Sequence, residues 1–187
     1  MSKIITVRVA QEIVGHEAIV REAYRDSAGV WTWSVGITNS SGHRVYPRYK
    51  DNPQTLRRCL EVFVWVLRTR YLPAVLEVFD GIELSENEFG AALSFHYNTG
   101  GLRRAAWAKR WKAGLVDDAR RAFMNWSKPP EIIGRRQNER DLFFDGRWSV
   151  DGQAIEYPVA KPSYRPQWSA GKKVEIRAVL EELLNLP

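Results

Sequence analysis

Three side chains near the start of the sequence are of types that catalyse hydrolysis when they are brought together. Glu17 has apolar neighbours in the sequence, a setting in which a carboxyl group can retain a proton and act as an acid. Asp26 follows nine residues later, and Thr32 follows six residues after that. Two carboxyl groups facing each other across a cleft are what glycoside hydrolysis requires. From spacing alone, a surface helix residue and a turn residue remain the simpler interpretation.

The elements predicted around these residues would place them close together. An amphipathic helix is expected up to about residue 23, so that Glu17 lies towards its end. Residues 28–38 alternate in a β-rich composition and predict a strand that carries Thr32. Asn39–Gly42 has the composition of a turn, and residues 45–46 can return as a second strand. The expected sheet is one hairpin or a three-stranded meander.

The rest of the chain has mostly helical patterns. Asn52-Pro53 is expected to cap a long helix, and Ser85–Glu88 is a capping box for a helix that Asn98–Gly101 ends. The sequence further predicts short helices around 103–113, 116–126 and 135–144, an ordered strap over 145–171 and a last helix over 172–185. The expected fold class is therefore α+β, mostly helical, with a small β region near the start.

Sequence motifs around the three residues are similar to those of a known family. The frame Glu-x8-Asp-x5-Thr contains Ala23-Tyr24-x-Asp26 and Gly29-Val-Trp-Thr32, and three further blocks follow in order. They are Leu84-Ser85 to Asn98-Thr-Gly100, Ala122-Phe123-x-x-Trp126, and Arg135-Arg136-x-x-Glu139-Arg-x-Leu142-Phe143. Over roughly residues 10–145, this pattern resembles the phage-type lysozymes, glycoside hydrolase family 24, which includes endolysins and muramidases.

The resemblance implies a bilobed lysozyme fold with a small β lobe and a cleft between the lobes. It also implies the bacterial cell-wall glycan as substrate, cut between N-acetylmuramic acid and N-acetylglucosamine at the β-1,4 bond, and we expect inversion. Glu17 takes the position of the general acid, and Asp26 that of the carboxylate which holds the attacking water. Thr32 takes the position that helps to place this water.

The resemblance also gives candidate substrate-binding residues. Thr38 and Tyr97 fall at cleft-lining positions of the family, and Asn98 supplies an amide near the acid. Either Arg135 or Arg136 falls where a basic residue approaches the acid, and the sequence does not choose between them. No metal or cofactor is expected, and the single cysteine, Cys59, excludes an intramolecular disulfide.

The chain departs from the family pattern after Thr32. Ser34 stands where many members have glycine, so we expect an ordinary negative φ there, and Ile37 stands where they have histidine. Trp31 and Trp33 are aromatic residues that can stack on sugars, but their alternation with Thr32 favours core packing. These departures motivate the alternative that the chain is a peptidoglycan-binding protein without turnover. A lytic transglycosylase is a second alternative, which would need the acid but no water-positioning Asp26.

The composition and charge of the sequence indicate which partners the protein binds and where it acts. The 187 residues carry a net charge of +6, and residues 101–147 hold the whole excess, with 12 Lys or Arg against 6 Asp or Glu. This stretch favours an anionic partner such as cell-wall polymer. Because no nucleic-acid motif, transmembrane run or signal peptide is visible, we expect a monomer that binds peptidoglycan but not nucleic acid. We expect synthesis in the host cytoplasm and action on the wall after release across the inner membrane.

The resemblance does not extend to residues 146–187. Their last helix offers Ile176, Val179, Leu180, Leu183 and Leu184 on one face, and its polar face carries acidic residues. This pattern is a poor match to a basic, membrane-active helix. We therefore predict a catalytic domain over 1–145 and a C-terminal strap and helix, 146–187, packed on it.

Overall fold

A computed structural model describes residues 5–149 and 152–186 of the chain. It confirms the α+β class, with mostly helical structure and a small sheet. The chain divides into two compact units, one formed by residues 5–70 and 152–186 and the other by residues 71–149. The described part does not include residues 1–4, the start of the segment in which no signal peptide is visible. It also does not include residues 150, 151 and 187 of the C-terminal segment.

The first helix is shorter than the sequence predicts. Helix α1 spans Val7–His16 and begins at Thr6, whose hydroxyl accepts a hydrogen bond from the Val9 N–H at 3.2 Å. Residues Ile19–Arg25 form strand β1, so the prediction of a helix up to about residue 23 is wrong. The spacing of the apolar residues in this segment is compatible with both a helix and a strand. Pairing with the next strand stabilises the extended conformation.

The first three strands form a meander. Strand β2 (Trp31–Val35) is antiparallel to β1, and strand β3 (Ile37–Thr38) is antiparallel to β2. Residues 45–46, predicted as a strand, are not in one. The meander is extended by two strands from the C-terminal segment: β4 (Ala154–Glu156), which lies parallel to β1, and β7 (Lys172–Val174), which lies antiparallel to β4.

The turn between β2 and β3 depends on two residues with positive φ. Ser34 has φ +57°, so the expectation of ordinary backbone geometry there is wrong. Its side chain is fully buried, and its hydroxyl donates to the Cys59 carbonyl at 2.9 Å. This buried hydrogen bond offsets part of the cost of a left-handed serine. Gly36, with φ +69°, then completes the turn into β3.

Two helices, α1 and α2 (Leu56–Val66), pack on the sheet of this unit, and a third packs on them. Helix α2 begins at Thr55 rather than at the predicted Asn52-Pro53. The C-terminal segment contains a small hairpin of β5 (Val159–Ala160) and β6 (Arg165–Pro166), and then helix α8 (Arg177–Asn185), which packs on α1 and α2. The predicted strap and last helix thus include short strands that the sequence pattern did not indicate.

The other unit is helical. Its helices are α3 (Leu72–Val78), α4 (Glu86–Thr99), α5 (Ala106–Lys112), α6 (Val116–Phe123) and α7 (Ile133–Asp145). The predicted capping box at Ser85 and the predicted glycine stop at Gly100 are both confirmed. Aromatic rings pack around α4, with Phe95 and Trp107 centred 5.3 Å apart. None of the helices in the described residues is long and apolar enough to span a membrane.

Candidate active site

Glu17 is the first residue after α1, at the point where the chain leaves the helix. Its N–H donates to the Val14 carbonyl at 3.0 Å, and its φ of −111° and ψ of 161° begin the extended chain. In the last turn of α1, His16 Nε2 lies 3.3 Å from Oε1 of the buried Glu12. These contacts hold the helix end from which the Glu17 side chain projects.

The Glu17 carboxyl group lies against the backbone of Gly36. A Cβ atom built on Gly36 would lie 3.0 Å from Glu17 Oε2 and 3.4 Å from the carboxyl carbon. Glycine is needed here for two reasons, because φ is +69° and because any side chain would press on the carboxylate. The turn between β2 and β3 therefore helps to position Glu17.

Replacing Gly36 by alanine is expected to reduce turnover by about ten- to hundredfold, because the new methyl group displaces the Glu17 carboxyl. Gly81→Ala is the matched control, since Gly81 has a similar φ of +71° but nothing within 4 Å of an added Cβ. Both variants should lose about 1–2 kcal/mol of stability from the left-handed backbone. Equal kcat values for the two variants would show that Gly36 does not position the acid. The measurements are chemical denaturation and initial rates.

Asp26 lies in the turn between β1 and β2, with one carboxylate oxygen fixed by the backbone. Its Oδ1 accepts hydrogen bonds from the N–H groups of Ala28 at 2.9 Å and Val30 at 2.8 Å. The Asp26 N–H donates in turn to the Val30 carbonyl at 3.1 Å. Among the described residues no donor contacts Oδ2, so this oxygen is the one available to a water molecule.

Thr32 is tied to Asp26 through Val30. The Thr32 hydroxyl donates to the same Val30 carbonyl, at 3.1 Å, and its side chain is buried. Thr32 pairs across the sheet with Tyr24 on one side and with Thr38 on the other. Since cross-strand partners point to the same face, these three side chains form one row. The predicted residues Asp26, Thr32 and Thr38 are thus brought together.

Tyr24 belongs to this row, although the sequence analysis did not assign it a role. Burial raises the pKa of its hydroxyl, and the negative charges of Glu17 and Asp26 raise that pKa further. The hydroxyl is therefore close enough to be influenced by the charge of both carboxylates, and it stays protonated at neutral pH. A usable signal was present in the sequence, because Tyr24 precedes Asp26 by two strand positions.

The other four predicted site residues belong to the unit formed by residues 71–149, and one of them is entirely internal. The Arg136 side chain is fully buried on α7, where it pairs with the buried Glu139 and donates to Asn98 Oδ1 at 2.5 Å. It also donates to the Trp126 carbonyl at 3.2 Å and covers the Phe95 ring. Burial lowers the pKa of Arg136, and the Glu139 charge opposes that effect. These contacts make Arg136 part of the interior of the unit.

Arg135, Tyr97 and Asn98 lie nearer to the surface of the same unit. Arg135 Nε donates to Glu139 Oε1 at 2.9 Å, and its side chain keeps 10% of its exposure. The Tyr97 ring lies 4.7 Å from that of Tyr71. Asn98 is half-buried, and its amide oxygen is held by Arg136. Glu139, which was quoted only as part of a motif, is the acid that organises this cluster.

Comparison with protein-family models identifies the family to which the chain belongs. The model described as phage lysozyme matches residues 14–139, two thirds of the chain. The chain belongs to the phage lysozyme family. Membership makes it a glycoside hydrolase, a peptidoglycan-hydrolysing lysozyme of the muramidase type. The matched range includes all the predicted site residues and ends before the C-terminal segment.

Solved structures support the same fold. An endolysin from the Escherichia coli O157:H7 phage FAHEc1 aligns with a TM-score of 0.70 and 22% identity, over 80% of this chain and 99% of that one. The muramidase domain of SpmX from Asticaccaulis excentricus gives 0.60 and 22%, over 74% and 96%. A variant of the phage P22 lysozyme gives 0.59 and 23%, over 76% and 99%. No curated protein matches this phage lysozyme by sequence.

Proposed function

We propose that this phage lysozyme hydrolyses the β-1,4 bond between N-acetylmuramic acid and N-acetylglucosamine with inversion at the anomeric carbon. The observation that carries the proposal is the link between Asp26 and Thr32 through Val30. It sets a carboxylate oxygen without a protein donor beside a hydroxyl group. Such a pair can hold one water molecule by accepting both of its hydrogen bonds, because the Thr32 hydroxyl already donates its proton to Val30 and its oxygen can still accept.

In the proposed reaction, Glu17 transfers its proton to the glycosidic oxygen as the bond to the anomeric carbon breaks. The water oxygen bonds to that carbon from the opposite face, and the proton that water loses passes to Asp26 Oδ2. The Asp26 carboxylate also stabilises the positive charge that develops on the sugar. Proton exchange with solvent then returns Glu17 to its acid form and Asp26 to its anion.

Tyr24 lies within range of the charges of both acids, because burial raises the pKa of its hydroxyl and each carboxylate raises it further. The hydroxyl therefore stays neutral and adds no third charge to the site. We assign it a positioning role. The backbone of Val30 positions Asp26 and Thr32 in the same way.

The remaining candidates are proposed to contact the glycan. Thr38 continues the row of Thr32, and its hydroxyl bonds Ser40 at 2.6 Å. Tyr97 and Asn98 would supply a ring edge and an amide. Of the two arginines, Arg135 is the one we propose to contact the glycan, because Arg136 is buried and uses its donors internally.

The two alternatives predict different products. A non-hydrolytic binder was suggested by Ser34 and Ile37, yet Ser34 adopts the backbone geometry of a glycine and Ile37 is buried. A lytic transglycosylase has no use for the water site at Asp26. Digestion of purified peptidoglycan followed by mass spectrometry of the products distinguishes the three hypotheses. Reducing ends support hydrolysis, anhydro ends support a transglycosylase, and an undigested polymer supports a binder.

The stereochemical outcome tests the role of Asp26. If Asp26 activates water directly, the first product formed from the β-linked substrate is the α-anomer. Proton NMR during the first minutes of digestion, before mutarotation, distinguishes the two anomers. A β-anomer formed first would indicate a covalent intermediate and would contradict the proposed role of Asp26.

A further inference from the structure

Five side chains of the unit formed by residues 5–70 and 152–186 make a patch of rings and cations. The Trp31 and Tyr46 rings stack with centroids 4.8 Å apart, and the Tyr164 ring meets Trp31 edge-on at 5.3 Å. The Arg25 guanidinium lies 4.7 Å from the Trp31 ring, and the Lys50 ammonium lies 5.1 Å from the Tyr164 ring. Tyr46 is 39% exposed, so this aromatic–cation patch reaches solvent.

The protein neutralises only part of the positive charge of the patch: the hydrogen bond from Lys161 lowers the pKa of Asp51, and the nearby charge of Lys50 lowers it further. Lys161 also lies over the Tyr164 ring, but it is paired with both Glu22 and Asp51. In the described part of the chain, by contrast, no carboxylate forms an ion pair with Arg25 or Lys50. Contacts between cations and rings leave the charge in place, so the patch is suited to an anionic ligand.

The patch lies on the strands that carry the catalytic residues, but on their other face. Arg25 and Trp31 are cross-strand partners, next to the pair formed by Tyr24 and Thr32. Successive side chains of a strand point to opposite faces. Burial agrees, because Tyr24 and Thr32 are buried whereas Arg25 is exposed. The patch is therefore a separate surface close to the catalytic row.

The C-terminal segment completes this surface. The Tyr164 carbonyl accepts a hydrogen bond from the Arg25 N–H at 2.6 Å, and the Tyr164 hydroxyl donates to Asp51 Oδ2 at 2.8 Å. Tyr164 holds a φ of +57°, which is uncommon for a residue with a side chain. It lies beyond the range matched by the family model, which ends at residue 139. The patch is thus built partly from residues outside the family's matched range.

We propose that the aromatic–cation patch is a second binding site for peptidoglycan, distinct from the catalytic row. Sugar rings would stack on the exposed ring of Tyr46, which Trp31 supports from behind, and carboxylates of the muramic acid or the peptide stems would pair with Arg25 and Lys50. The choice of polymer rests on the proposed function. Since the wall repeats its units, a second contact keeps the enzyme on the polymer between cleavage events and raises its effective concentration there.

Other charged surfaces and other polymers fit less well. Seven of the twelve cations in the basic stretch 101–147 are already paired with carboxylates, namely Arg103, Arg120, Arg121, Arg135, Arg136, Arg140 and Arg147. A membrane surface would require rings that are free to insert, whereas the rings of this patch are packed on one another and on the Arg25 guanidinium. Nucleic acid would use similar stacking and charge contacts, but it has no reason to lie beside a glycosidase site.

Binding to the wall can be measured without cleavage by placing all variants in a Glu17→Gln background. Tyr46→Ala combined with Lys50→Gln should weaken co-sedimentation with purified sacculi by about tenfold, because one stacking contact and one charge are lost. Trp168→Ala is the matched control, since Trp168 is an aromatic residue 63% exposed outside the patch. It should change binding less than about twofold. Raising the salt to about 1 M should remove most of the contribution of Lys50.

The outcomes separate this proposal from the proposed function. With Glu17 intact, the Tyr46→Ala and Lys50→Gln variant should cleave a short soluble oligosaccharide at the wild-type rate. Failure of the wild-type enzyme to cleave it would contradict the catalytic proposal and leave the binding result standing. Unchanged binding to sacculi, with unchanged melting temperature, would overturn the patch proposal. So would a larger loss of binding to anionic vesicles or to DNA than to sacculi, because the patch would then serve that polymer.

Discussion

Replacing Glu17 by glutamine is expected to lower hydrolysis of peptidoglycan by a factor of about 10²–10⁴, the usual contribution of a general acid. The amide preserves the size of the side chain beside Gly36, but it has no acidic proton to give to the leaving oxygen. The helix end is held by the Glu17 backbone and by the His16–Glu12 pair, so the fold should not change. Turbidity loss of cell walls measures the rate, and thermal melting checks the fold.

A matched substitution shows whether the effect belongs to this position. Glu131 is an exposed acid in the other unit, and Glu131→Gln makes the same chemical change there. It should leave the rate within about twofold of the wild type. If Glu17→Gln retained the activity of Glu131→Gln, another group would have to supply the proton, and the mechanism proposed above would be wrong.

Locally encoded elements of this chain could be predicted from sequence. Helix α4 has a capping box at Ser85, a buried interior and a left-handed stop at Gly100, and each signal acts within a few residues. The sequence predicts this helix correctly because neighbouring residues alone determine where it begins and ends. The Asp26 turn is similar, since the aspartate and the following glycine favour a turn by themselves.

Elements that depend on distant partners were not predictable in the same way. Strand β1 has apolar positions that suit a helix, and only its pairing with β2 settles its conformation. Strands β4 and β7 have three residues each and are separated by fifteen residues rich in proline, serine and glycine, so nothing in the local sequence indicated that they pair and extend the sheet. Ser34 has a left-handed φ, and the hydrogen bond that offsets part of its cost goes to the distant Cys59 carbonyl, which the local sequence does not reveal.

The roles of Glu17, Asp26 and Thr32 remain predictions, and they came from the resemblance to the family because spacing alone did not distinguish these residues from ordinary helix and turn residues. Tyr24 was overlooked because a tyrosine in a strand usually packs, and its role emerges only when both carboxylates are seen to act on it. Arg135 and Arg136 are adjacent, so only the rotation of α7 distinguishes the buried side chain from the more exposed one.

Ending the chain at Asp145 is expected to prevent stable folding of the unit that carries Glu17, Asp26 and Thr32. The truncation removes α8 and the strands beside β1, and with them four buried apolar side chains: Ile176, Leu180, Leu183 and Leu184. At about 1.5–3 kcal/mol each, their burial is worth about 6–12 kcal/mol, which is comparable to the whole stability of a domain. Ile19 also loses the hydrogen bond that its carbonyl accepts from the Tyr157 N–H at 2.9 Å. Expression in soluble form and chemical denaturation provide the measurement.

Single substitutions in α8 test the same contribution to stability within the full chain. Leu180→Ala should cost about 2–5 kcal/mol of unfolding free energy, because the side chain is fully buried where α8 packs on its unit. Val179→Ala, at a half-buried position of the same helix, should cost less than half as much.

The rival idea is that the segment is a separable cell-wall anchor. A truncated protein that melted like the full chain and only bound sacculi more weakly would favour that idea. Loss of folding would instead make the segment part of the catalytic body, because the sheet that holds Asp26 and Thr32 is completed by it.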